Sequence, residues 1–164
     1  MRVCVAFIKC LLFLLWSALL VPIQWIWLFF ANSNNAYVIP HLWQKGVCFI
    51  FGLSVNVHNK PHQCTSCLYV SNHISYLDIP VIGSTLKASF VAKEEVRSWP
   101  VFGFLSTLQQ TAFIKRQRSA TSQGADELKR FLEKGKSLIL FPEGTTSNGT
   151  EVLPFKSSYF QIAT

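Results

Sequence analysis

The chain has 164 residues, a length suited to one domain, and its 50% hydrophobic content allows a packed core even where part of it serves a membrane. Fifteen Lys and Arg against eight Asp and Glu give a net charge of +7, which suits anionic partners such as lipid headgroups or phosphorylated substrates. Nucleic acid is not the expected partner, because the chain opens on a long apolar segment and carries no nucleic-acid-binding motif.

Residues 3–30, VCVAFIKCLLFLLWSALLVPIQWIWLFF, carry one charge, that of Lys9. A helix that crosses a bilayer needs roughly 20 such residues, and this run is longer. Pro22 and Gln24 interrupt it, which leaves two readings: one tilted, kinked span, or a helical hairpin that enters one leaflet and returns. Trp16, Trp25 and Trp27 fit an interfacial belt. Arg2 and Lys9 also fit the basic start of a cleaved signal peptide. Against cleavage, the apolar run continues past Pro22 to Phe30 with no clean small-x-small site. A retained anchor over residues 1–35 is therefore expected, closed by the polar NSNN at 32–35, with residues 36–164 forming the domain proper.

Beyond the anchor, strand-like and helix-like pieces alternate. Residues 41–51 are amphipathic and read as a helix; residues 53–57 alternate apolar and polar, like a strand. Residues 67–70, 89–92, 112–114 and 138–141 are short apolar strands. Between the last two lies a helix that Ser119 or Thr121 can cap. Leu128, Phe131 and Leu132 form its apolar stripe, Asp126 and Arg130 pair across one turn, and Gly135 stands where a terminating glycine belongs. This alternation predicts an α/β domain, a mixed sheet covered by helices.

The five cysteines are odd in number, and Cys4 and Cys10 lie in the apolar segment, so reduced thiols are expected rather than a disulfide framework. Cys64 and Cys67 form a CxxC with His58 and His62 just upstream, four ligand types that zinc accepts. A second CxxC or a matched His pair is missing from the sequence, and no metal is expected.

The chemistry centres on strand 67–70 and the turn after it: Ser71, Asn72, His73, then Ile74, Ser75, Tyr76, Leu77 and Asp78. On a regular helix, positions i and i+5 stand roughly 140° apart. For His73 and Asp78 to meet, His73 must lie in the strand-to-helix turn and Asp78 in the first helical turn. Ser71, Asn72 and Ser75 are capping types, and Pro80 fits only early in a helix, which suits that placement. A neutral imidazole is a general base near neutral pH, and a carboxylate on its other nitrogen fixes the tautomer. Gly-x-Ser-x-Gly is absent, so the base would act on a hydroxyl brought by the substrate. The competing reading is a capping network in which His73 bonds backbone and Asp78 a helix N-terminus.

Two further segments stand out. Phe141, Pro142, Glu143, Gly144, Thr145 and Thr146 follow the strand SLILF, at the carboxyl end where α/β sheets collect their sites. Gly144 permits close backbone approach, and the amides and hydroxyls after it can hold a polar group; a solvated turn is the plainer alternative. Lys115, Arg116 and Arg118 follow strand 112–114 and suit a phosphate, or else form an ordinary basic loop.

In this order, Asn72-His73 with Asp78, Phe113-Ile114-Lys115-Arg116, Phe141 to Thr145, and Phe155-Lys156 make the chain resemble the lysophosphatidic acid acyltransferase family of glycerolipid acyltransferases. The resemblance runs from the apolar N-terminus to about Ala163. It implies an acyl thioester donor, acyl-coenzyme A or acyl carrier protein, and transfer to the free hydroxyl of lysophosphatidic acid to give phosphatidic acid. It implies His73 as general base, Asp78 as its orienting partner, and Lys115, Arg116, Glu143, Gly144 and Thr145 as acceptor-binding groups. No metal or bound cofactor is implied. The expected location is the inner (cytoplasmic) membrane, with the active site on its cytosolic side.

Two departures from the pattern matter. Thr146 stands where the family often has Arg, which leaves the acceptor headgroup open, with lyso-ornithine lipid as an alternative acceptor. A lipid-directed hydrolase or thioesterase, with His73 activating water, is the alternative of another class, and a non-enzymatic membrane adaptor is a third. Second, the family continues past the Phe-Lys pattern into a further strand, whereas SSYFQIAT reads as a helix without a stop signal; a missing C-terminal part is expected.

Overall fold

The computed structural model describes residues 2–59, 61–62, 64–114 and 121–157. The apolar N-terminus is one helix, α1, Arg2–Trp27. At 1.5 Å per residue it is about 39 Å long, more than the roughly 30 Å hydrocarbon core of a bilayer. Its most apolar 18-residue window within Val3–Trp27 has a mean hydropathy of 2.5, with 6% of that window buried. Pro22 lies inside α1 without ending it, so the interruption expected there is a lost N–H and not a break.

The hairpin is made with the next helix, α2, Val38–Phe51, reached through a short 3-10 turn at Ser33–Tyr37. Lys9 Nζ donates to the carbonyl of Phe51 at 3.1 Å, Trp16 Nε1 to that of Trp43 at 3.1 Å, and Gln24 Nε2 to that of Ala36 at 3.1 Å. These pairs run in opposite chain directions, so the two helices are antiparallel. Close contact is possible because Gly46 presents no side chain to the Trp16 indole, which fills the place a Cβ would take. Lys9 also puts a cation on the carbonyl end of α2, where the helix dipole favours one.

The α/β part follows as β1, Leu68–Val70, α3, Asp78–Gly83, β2, Ser89–Lys93, a 3-10 turn at Glu94–Ser98, α4, Phe102–Leu108, β3, Ala112–Ile114, α5, Thr121–Glu133, and β4, Leu138–Leu140. Among the described residues the strand order is β1-β4-β2-β3, and every pairing is parallel. The predicted mixed sheet is thus wholly parallel over these strands, as βαβ crossovers require. All four carboxyl ends consequently share one edge.

Neighbouring residues on a strand face opposite sides, and β4 shows it. Ile139 joins Leu86, Ala88 and Phe90 on the α3 side, with Ile79 and Ile82 against them. Leu138 joins Ala112 and Leu128 on the α5 side, with Phe131 and Leu132. The stripe read for α5 is the one it buries, and Gly135 follows it with φ 71°.

Three expectations change. Residues 53–57 form no strand; their alternation reports a face turned to the protein, not a ladder partner. The 3-10 turn at Glu94–Ser98 and α4 were not anticipated, because residues 94–108 lack a clean helical period. Cys64 and Cys67, read as reduced thiols, are joined as a disulfide, their Cα atoms 5.8 Å apart; the CxxC spacing brings the two Sγ atoms together in the turn before β1. Cys4, Cys10 and Cys48 are free. The predicted helix SSYFQIAT beyond Ser157, and the possible cap Ser119, lie outside the described residues.

Candidate active site

β1 continues its ladder one residue past the strand, with Ser71 N–H donating to the carbonyl of Leu140 at 3.1 Å. The chain then leaves the sheet, and His73 lies in the turn before α3, whose first residue is Asp78. His73 Nδ1 is 2.8 Å from Asp78 Oδ2. The same oxygen accepts the backbone N–H of Ile74 at 2.7 Å and of Ser75 at 3.0 Å. One carboxylate thus meets the imidazole and ties the turn before α3 through two backbone N–H groups, while the His73 ring makes no bond to backbone among the described residues.

A carboxylate is acceptor-only, so the geometry suits the tautomer in which Nδ1 donates and Nε2 faces outward as the acceptor. Nε2 has no hydrogen-bond partner among the described residues. The two side chains are 15% and 23% exposed, sheltered enough to be fixed and open enough to meet a substrate. The Phe141 ring stacks on the imidazole at 4.1 Å between centroids and 16° between planes, and Phe90 lies behind it at 6.0 Å. Ring orientation is thus set on one side by Asp78 and on one face by Phe141.

The loop after β4 holds the same turn through its backbone. Glu143, 3% exposed, accepts His73 N–H on Oε2 at 3.1 Å and Leu153 N–H on Oε1 at 3.1 Å. Ser147 N–H donates to the carbonyl of His73 at 2.8 Å. Gly144 has φ 70°, a conformation that favours glycine, and Lys156 Nζ lies 2.8 Å from where its Cβ would be. Lys156 is itself held by its N–H on the carbonyl of Pro142 at 3.1 Å. The Phe-Lys segment therefore comes back onto the Pro-Glu-Gly turn. Thr145 is exposed on that loop.

The structure thus gathers His73, Asp78, Glu143 and Gly144 into one place, with Thr145 beside them. Lys115, Arg116 and Arg118 lie outside the described residues; Ile114, the residue before them, is paired with Lys93 at the carboxyl edge of the sheet. Phe141 as the floor under the imidazole was not singled out from sequence. Its position directly before Pro142-Glu143 at a strand end was the available signal. No group of three or more His, Cys, Asp or Glu is placed to hold a metal ion among the described residues.

An imidazole oriented by a carboxylate at the carboxyl edge of a parallel α/β sheet has the geometry that general-base chemistry requires. A model of the Acyltransferase family matches residues 54–164, and the chain belongs to that family. It is 39% identical over 148 residues to a lyso-ornithine lipid O-acyltransferase of Brucella abortus, covering 90% of this chain and 55% of that protein. It is 36% identical over 134 residues to a 1-acyl-sn-glycerol-3-phosphate acyltransferase of Neisseria meningitidis, covering 80% and 52%. The chain thus spans about half the length of these relatives. The crystal structure of the 1-acyl-sn-glycerophosphate acyltransferase PlsC from Thermotoga maritima superposes with a TM-score of 0.70 at 25% identity, over 99% of this chain and 70% of that one.

Proposed function

We propose that this chain carries the catalytic part of a membrane-bound O-acyltransferase that moves a fatty acyl group from acyl-coenzyme A or acyl carrier protein to the hydroxyl of a lysolipid. The observation that carries the reading is the His73–Asp78 contact of 2.8 Å, with no partner on Nε2 among the described residues. In the reaction, Nε2 takes the proton of the acceptor hydroxyl as its oxygen attacks the thioester carbonyl. The tetrahedral intermediate collapses, the carbon–sulfur bond breaks, and the departing thiolate is protonated from the imidazolium. Asp78 stabilises that cation and holds the tautomer throughout. Glu143, Gly144 and Thr145 form the wall beside the base, and Lys115 and Arg116 supply cations for the acceptor headgroup.

Two acceptors are favoured by different observations. The cations Lys115, Arg116 and Arg118 favour lysophosphatidic acid. Neutral Thr146, in place of the frequent Arg, and the 39% identity to a lyso-ornithine lipid O-acyltransferase favour lyso-ornithine lipid. Residues 1–35 serve as the anchor and residues 36–164 as the acyltransferase domain, on the cytosolic side of the inner membrane. The test is thin-layer analysis of membranes given acyl-coenzyme A and a panel of lysolipids. Acylated lipid absent from the His73→Ala control supports the proposal. Free fatty acid as the sole product points to hydrolysis and overturns it.

A further inference from the structure

Residues 99–104, WPVFGF, present apolar side chains to the outside: Trp99 is 47% exposed, Val101 68%, Phe102 63% and Phe104 58%. Four large apolar groups this open within six residues exceed the scattered exposure ordinary on a soluble surface. Their backbone holds them out. Val101 has φ 61° and ψ −57°, a conformation that a β-branched residue rarely adopts. It forms the corner from which α4 departs, while Gly103 on the inner side packs against the carbonyl of Arg97.

The place of this corner in the fold gives it meaning. It follows the 3-10 turn that leaves the carboxyl end of β2, so it stands at the same sheet edge as His73. From there α4 runs back along the anchor: Leu105 and Leu108 line one small apolar pocket with Leu20 and Val21, and Gln24 Nε2 donates to the carbonyl of Leu108 at 2.8 Å. The exposed corner is thus one turn of α4 beyond the contact with α1. On α1, Leu14, Leu15 and Leu19 are 61%, 58% and 55% exposed, on the turns just before Leu20. The turn at that edge carries Lys93, Glu94, Glu95 and Arg97, with Arg97 paired to Glu94, so a lipid contact there rests on the apolar side chains.

We propose that residues 99–104 are a second membrane contact, which dips into the same leaflet as α1 and sets the His73 edge of the sheet against the headgroup layer. The partner is the bilayer itself. Trp and Phe suit that depth, since an aromatic ring with one polar or wet end belongs at the headgroup level. This inference rests on the reading of α1 as a membrane anchor and adds to it. One contact would leave the domain free to swing about α1, whereas two fix its orientation, so that a lysolipid reaches His73 with its acyl chain still in the leaflet.

The experiment is site-specific photocrosslinking in the full chain. Benzoylphenylalanine is placed at Phe102, at Leu14 in α1, and at Lys129, which is exposed on α5 across the sheet. Each protein is reconstituted in phosphatidylcholine vesicles containing phosphatidylglycerol and a radiolabelled phosphatidylcholine, then irradiated. Lipid adducts at positions 14 and 102, and none at 129, support the proposal. An adduct at 14 alone, or crosslinking from 102 only to the chain itself, overturns it while the anchor stands. Adducts at neither 14 nor 102 remove the anchor reading and the second contact together.

Discussion

Glu143 meets His73 at its backbone and not at its imidazole: a buried carboxylate oxygen accepts the His73 backbone N–H at 3.1 Å. The other oxygen accepts Leu153 N–H at 3.1 Å. With both oxygens engaged, the expected role of Glu143 is to set where the imidazole stands. In Glu143→Gln one oxygen becomes an NH₂ facing an N–H donor. A buried polar group left unpaired costs about 1–3 kcal/mol, so the variant melts lower and loses kcat while the acceptor KM stays near its original value. A variant that changes KM alone would show Glu143 to be an acceptor ligand.

Substitution at the base separates the enzyme from an adaptor. His73→Ala removes proton transfer, which contributes roughly 10²–10⁴ in rate, and leaves membrane attachment through α1 intact. Asp78→Asn is expected to be severe for two reasons visible at one oxygen. It can select the wrong imidazole tautomer, and the side chain also holds the N–H groups of Ile74 and Ser75. Acyl transfer by purified His73→Ala protein at the original rate would sink the mechanism.

Acid should loosen the packing of α2 on α3 at His41. Burial holds its imidazole below the ordinary value of 6.5; the hydrogen bond to the Gly83 carbonyl opposes this, and Lys45 and Lys87 reinforce it. The unfolded chain therefore takes up a proton near pH 6.5 that the folded chain refuses. The linked stability is complete above that pH and is lost as pH falls below it. The melting midpoint of the detergent-solubilised protein, compared at about pH 7.5 and about pH 5.5, should fall more for the wild type than for His41→Gln. Equal drops would exclude His41 as the cause.

Much of this was legible because each strand carries its own apolar run and turn. β1, β2, β3 and β4 lie where short runs of Leu, Val, Ile and Phe predicted them, and α5 buries the stripe Leu128, Phe131 and Leu132. The His73–Asp78 contact followed from spacing, since five residues meet only across a strand-to-helix turn. Parallel pairing was not legible, because short apolar runs do not encode direction. The two interactions that aim the base, Phe141 under its ring and Glu143 on its backbone, join residues about 70 positions apart; such contacts leave no period in a sequence. Residues 99–104 escaped because a short apolar run does not tell an exposed corner from a buried one, and here it lies outside.

The headgroup can be decided by charge. A phosphate monoester carries close to two negative charges and three acceptor oxygens, whereas lyso-ornithine lipid is zwitterionic. Lys115 and Arg116 follow β3 in sequence, and Lys156 brings an ammonium over Gly144. If phosphate is the acceptor group, Arg116→Ala should raise the KM for lysophosphatidic acid. A charge-assisted hydrogen bond is worth about 1.5–3 kcal/mol, or roughly tenfold to a hundredfold in binding. Thr146→Arg should improve use of that substrate, or at least not harm it. If lyso-ornithine lipid is the acceptor, Arg116→Ala should change little, and Thr146→Arg should shift preference toward the phosphate. The measurement is competition of the two lysolipids for one pool of acyl-coenzyme A, with the products resolved by mass. Preference for lyso-ornithine lipid with a silent Arg116→Ala would overturn the phosphate assignment and leave His73 and Asp78 in their roles.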